Sequence, residues 1–110
     1  MYEYKCEIKR VVDGDTVDVH IDLGFDIRTL KRIRIAGIDT PEVRGQEREH
    51  GLEVKLLVQD LLPAGTVTTI NVDGRDKYGR WLGDLALPGF HDETLGSYLL
   101  KHGHAEVYDD

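Results

Sequence analysis

With Cys6 as its only cysteine, the chain cannot close an intrachain disulfide, which fits a reducing compartment and leaves stability to the core alone. It also lacks any apolar run long enough for a signal peptide or a membrane span, and its first residues are already charged and strand-like. A cytoplasmic location, with no membrane partner, is therefore expected. Repeats and low-complexity segments are missing, which argues for a globular rather than a disordered chain. Positive charge is scarce as well. Fourteen Lys and Arg face 21 Asp and Glu, for a net charge of −7. A generic nucleic-acid binder carries a basic surface, so broad electrostatic wrapping of a duplex is not indicated.

What the chain does hold is segregated charge. Arg28, Lys31, Arg32 and Arg34 have no acid among them between residues 27 and 38, and Arg75, Lys77 and Arg80 are opposed locally by Asp76 alone. Acids gather at Asp13, Asp15, Asp18, Asp22 and Asp26. This pattern suits a local anionic ligand beside a cation site. The 110 residues suffice for one domain, 1–110, with its own core.

Periodicity predicts strands over about 4–12 and 16–21, joined by the turn Asp13-Gly14-Asp15, and a third over 29–38 with Leu30 out of phase. Helical spacing covers 47–62, with Val54, Leu57, Val58 and Leu61 as its stripe, Pro63 and Gly65 as its stop, and Gly51 as a weak point and alternative start. Strands follow over 66–72 and 80–87, then a helix over 94–102 with Gly103 as its C-terminal cap. The order βββ-α-ββ-α with five short strands predicts a small, partly open β-barrel with helices, of the OB-fold type.

Three segments stand out. Asp13-Gly14-Asp15-Thr16 reads most simply as a hairpin turn, yet a carboxylate at the start of a strand needs a partner. Arg34 to Glu42, "RIAGIDTPE", reads simply as a solvated strand running into a polar loop. It also offers the Asp39 carboxylate and the Thr40 carbonyl, which with Asp15 make a hard-oxygen set for a divalent cation. Calcium accepts such mixed shells, whereas magnesium demands tighter geometry. With no Cys or His nearby in sequence a zinc site is not expected, and the five histidines read as surface or core residues. Asp76-Lys77-Tyr78-Gly79-Arg80 reads as a polar hairpin loop, but Arg80 and Arg34 together supply two guanidiniums able to fork onto phosphate. Converging, these groups would neutralise charge on a phosphorus under attack, with Glu42 placed to orient or deprotonate water.

In this order the segments "VVDGDTV", "RIAGIDTPE" and "DKYGR", with the weaker "LLKHGHAEV" over 99–107, resemble the staphylococcal (micrococcal, thermonuclease-type) nuclease family. The resemblance implies an OB-fold barrel with flanking helices and a calcium-dependent phosphodiesterase acting on DNA and RNA. It implies Asp15, Asp39 and the Thr40 carbonyl as ligands of Ca2+. Arg34 and Arg80 would hold the scissile phosphate, Glu42 would be the general base, and Lys77 and Tyr78 would contact a neighbouring phosphate. Family enzymes break the 5′ P–O bond and leave 3′-phosphate ends. The chain departs from the pattern in three ways. Val43 to His50 is shorter than the family's mobile loop, the charge is acidic where secreted relatives are basic, and Tyr108, the candidate base-stacking residue, is slightly out of register. The expected partner is single-stranded DNA or RNA, and the expected state a monomer. The alternatives are a weak or inactive OB-fold nucleic-acid-binding module and an acidic interaction domain that engages a protein through its sheet edge or its acidic tail, Asp109 and Asp110.

Overall fold

The computed structural model describes residues 2–91 and 93–108, so the acidic end formed by Asp109 and Asp110 lies outside the described residues. Strands β1 (Tyr2–Asp13), β2 (Thr16–Asp22) and β3 (Arg28–Ile35) form an antiparallel meander. Alternation turns Cys6 and Ile8 of β1, Val17, Val19 and Ile21 of β2, and Ile33 and Ile35 of β3 into the core. A 14-residue helix, α1 (Arg48–Leu61), follows the third strand after a short 3-10 turn. Val54 and Val58 are buried along its inner stripe, with Leu57 and Leu61 packed beside them.

The helix expected over 47–62 is found over Arg48–Leu61, and the alternative start at Gly51 is not the one taken. Gly51 is instead buried within the helix. A Cβ there would collide with the backbone carbonyls of Pro41 and Glu42, so glycine is needed for close approach between the helix and the loop after the third strand.

Two further strands, one over Val67–Arg75 and one over Trp81–Leu85, complete the sheet. The sheet is a closed barrel rather than the partly open one expected. Closure comes from a short parallel pairing, Ile33↔Trp81 to Ile35↔Gly83, which strand periodicity does not encode. The expected third strand also ends early. The chain turns at Ala36 and Gly37, and β4 (Ile38–Asp39) pairs instead with a short strand over Glu106–Val107. With the strands numbered in chain order, the barrel pair is β5 (Val67–Arg75) and β6 (Trp81–Leu85), and the last strand is β7 (Glu106–Val107).

Helix α2 (Leu95–Lys101) buries Leu95 and Leu99, with Tyr98 half-buried. Thr94 caps it by accepting from the Ser97 amide at 3.2 Å, and Gly103, at φ 75°, follows its end as predicted. Among the described residues no helix is long and apolar enough to cross a membrane.

Candidate active site

Arg34 is the hub. It sits on β3 between buried Ile33 and Ile35 and is itself only 6% exposed. One guanidinium nitrogen, Nη1, lies 3.2 Å from Asp15 Oδ2, and the other, Nη2, lies 3.4 Å from Asp39 Oδ1. Nη1 also donates to the Ile35 carbonyl at 3.2 Å. Burying an arginine is tolerable only with such partners.

Asp15, 8% exposed, is the matching hub on the acidic side. Its Oδ2 accepts from the Thr40 amide at 3.1 Å, and its Oδ1 accepts from the Thr16 hydroxyl at 3.0 Å. One carboxylate at the β1–β2 turn thereby ties β3 to the loop after β4. This answers why an acid stands at the start of a strand.

Asp39, by contrast, is exposed. Partial burial, and then the negative charge of Asp15, push its carboxyl above the usual range against the pull of Arg34. The Thr40 hydroxyl is buried with no hydrogen-bond partner among the described residues.

Arg80 arrives from a different direction. Its Nε donates to Asp76 Oδ2 at 2.7 Å, while Asp76 Oδ1 accepts the amides of Tyr78 and Arg80, each at 2.9 Å. Asp76 therefore shapes the loop that presents Arg80, a positioning role that reading it as a mere opposing charge missed.

Asp15, Arg34, Asp39, Thr40, Glu42 and Arg80 line one cavity of about 230 Å³. Glu42 is exposed on its wall, with its amide 3.4 Å from Glu47 Oε1. A second cavity, of about 470 Å³, shares Arg34, Asp39 and Arg80 and adds Lys77, Tyr78 and Tyr108. Tyr108 is held by its amide, which donates to the Gly37 carbonyl at 2.9 Å, and its ring lies 5.5 Å from the Arg34 guanidinium. The residues singled out in the sequence thus gather in two adjoining cavities.

Two histidines border the acidic set without departing from the expected surface placement, His50 exposed and His104 half-buried. His50 from α1 and His104 after α2 line a third cavity, of about 170 Å³, together with Asp39 and Thr40, so histidines do lie near the acidic set. They come from segments remote in the chain, and no local spacing announces them. Even so, among the described residues no group of three or more His, Cys, Asp or Glu side chains is arranged to hold a metal ion. The cation set expected from the sequence has two carboxylates and a backbone carbonyl. Its chemistry fits a hard divalent cation: the donors are all oxygens, and ionisation of Asp39 is opposed by Asp15.

Fold and cavities together define a class: a closed five-stranded barrel of the OB type, carrying a buried arginine between two carboxylates and a second arginine across the same cleft. The sequence model of the staphylococcal nuclease homologue family matches residues 32–110. The chain is also 32% identical over 102 residues to a protein of Escherichia coli O157:H7 called an uncharacterized endonuclease, covering 93% of this chain and 60% of that protein. It is 30% identical over 118 residues to a micrococcal nuclease of Shigella flexneri, covering 96% and 59%. With endonuclease YhcR of Bacillus subtilis it shares 29% over 116 residues, 96% of this chain but 9% of that one. The chain belongs to the staphylococcal nuclease homologue family. It spans about 60% of the length of the E. coli relative, and Asp15 lies before the span matched by the family.

Proposed function

We propose that residues 1–110 form one nuclease domain, acting as a monomer, that hydrolyses phosphodiester bonds of single-stranded DNA or RNA with calcium. The observation that carries this reading is the convergence of Asp15, Arg34, Asp39, Glu42 and Arg80, from three separated segments, on one cavity of about 230 Å³.

In this reading Arg34 and Arg80 fork onto the non-bridging oxygens of the diester and balance the charge that builds as phosphorus becomes five-coordinate. Arg34 is pre-set for this task, because Asp15 and Asp39 fix its guanidinium from one side. Glu42 receives the proton of a water whose oxygen bonds to phosphorus. The bond from phosphorus to the 5′ oxygen breaks, and the departing oxygen takes up a proton from solvent water, leaving a 3′-phosphate and a 5′-hydroxyl. Calcium, held by Asp15, Asp39 and the Thr40 carbonyl, supplies Lewis-acid charge neutralisation at the phosphate when bound. Lys77 and Tyr78 hold an adjoining phosphate, and Tyr108 offers a ring for a base. A single strand is favoured over a duplex, because a net charge of −7 leaves few cations beyond the cleft to follow two backbones.

The test is a gel assay on single-stranded DNA, duplex DNA and RNA in calcium, magnesium or EGTA. Cleavage is expected in calcium and lost in EGTA. Removing a transition-state donor or base costs about 10²–10³-fold, so Glu42→Ala and Arg80→Ala should each lower kcat by that order. Glu42 is exposed, so its variant should melt within about 0.5 kcal/mol of the parent. Cleavage indifferent to EGTA and to both substitutions defeats the reading.

A further inference from the structure

Every cation–aromatic contact among the described residues falls on one connected surface. Arg34 faces Tyr108, Lys77 and Arg80 face Tyr78, and Lys31 and Arg75 face Trp81. The first two groups line the cleft already described. The third extends beyond it. Arg75 joins the two, since it lines the cleft of about 470 Å³ and also stands 4.7 Å from the centre of the Trp81 ring. Lys31 Nζ approaches the same ring at 5.9 Å.

Several barrel cations are engaged within the sheet: Arg10 and Arg32 share the single carboxylate of Asp18, and Arg28 pairs with Glu7. Among the described residues Lys31, Arg75 and Lys77 form no ion pair. In a chain of net charge −7, uncompensated cations around a half-exposed indole make a local anion-attracting patch. A π-face with flanking cations is the combination that holds a base and its phosphate without regard to sequence.

We infer that Trp81, flanked by Lys31 and Arg75, is a distal subsite for single-stranded polynucleotide. A base beyond the cleft stacks on the indole, and its phosphate lies against the two cations. The inference rests on the proposed nuclease reading for the direction of the strand, and it adds a second anchor that grips long substrates better than short ones. Trp81 also packs against the core, so Lys31, whose side chain ends at the surface patch, is the cleaner handle.

Because Trp81 is the only tryptophan, its emission reports occupancy directly. The experiment titrates oligothymidylates, from a dinucleotide to a dodecamer, into the protein in EGTA, and follows tryptophan fluorescence. Cleavage of the same oligomers is then measured in calcium. Quenching is expected with the dodecamer and not with the dinucleotide. In Lys31→Glu the dodecamer should bind about tenfold more weakly, the order expected for a stacked base with its phosphate, and the slope of log affinity against log salt should shrink by about 0.7. The ratio of kcat/KM between dodecamer and dinucleotide should fall by a similar factor in Lys31→Glu and in Trp81→Leu. Quenching absent at every length, while the dodecamer is still cleaved, overturns the subsite and leaves the nuclease reading standing. Length-dependent quenching with no cleavage supports the subsite and overturns that reading. An unaltered salt slope and length ratio in Lys31→Glu also overturns the subsite.

Discussion

Gly51 of α1 lies against the backbone carbonyl of Glu42, with no room between them for a single methyl group. The helix thereby acts as the back wall of the loop that carries the proposed general base. Helix propensity alone says that Gly51→Ala should gain about 1 kcal/mol. Overpacking says the reverse, by about 1–3 kcal/mol. Since the neighbouring atoms are backbone, the second effect should win. Urea unfolding of Gly51→Ala should show a loss of stability, together with a fall in cleavage larger than the loss of folded protein explains. A stability gain would mean that the loop yields freely and the contact positions nothing.

Arg34 divides its guanidinium between Asp15 and Asp39 in a largely buried setting. Arg34→Ala removes the shared counter-charge and should cost about 3–5 kcal/mol. Calcium should then recover a larger part of that loss than it adds to the parent, because the two carboxylates are left facing each other. Melting curves with and without millimolar calcium check both halves of this expectation.

Asp18 carries the clearest acid-side dependence. Hydrogen bonds from Arg32, at 2.8 Å and 3.2 Å, and then from Arg10 hold its carboxyl below the ordinary range. A depressed acid contributes stability above its unfolded value, near 3.9, and loses it as pH falls through the lower folded value. Both arginine partners are half-exposed or more, so the contribution is about 1 kcal/mol or less. Asp18→Asn should therefore lower the melting temperature by roughly 4 °C at neutral pH, and the gap to the parent should close as pH falls below the ordinary carboxylate range. Added salt should narrow it as well.

Cys6 should be inert in the folded state. It is 2% exposed, and burial pushes its thiol up to about 11, so almost no thiolate exists at neutral pH. A thiol-specific dye at pH 8 should react at the rate of global unfolding, and denaturant should accelerate it in step with loss of structure. Fast labelling of folded protein would show that β1 opens locally.

Local pattern carried much of this molecule. The alternation of β1, β2 and β3 and the stripe on α1 are visible because each depends on neighbours two to four residues away. Pairing across the barrel is another matter. Arg28, Lys31, Arg32 and Arg34 look like an uncompensated basic run, yet the β2–β3 register sets Asp18 opposite Arg32 and Asp22 opposite Arg28. Most of that apparent charge is spent within the sheet. The two-residue pairing of β4 with β7 is too short to leave any period, and His50 and His104 meet Asp39 only through helix packing. The site residues were legible for a different reason: Asp15, Arg34 and Arg80 sit in motifs whose order can be read, although their distances cannot.

The parallel pairing of Ile33–Ile35 with Trp81–Gly83 brackets Arg34 on one strand and starts one residue after Arg80 on the other. The two guanidiniums are 46 positions apart along the polypeptide, and that register is what brings them to one cavity. A nascent or half-unravelled chain therefore has no grip on a diester. Whatever this cleft does begins when β6 zips onto β3, and it stops when that pairing lets go.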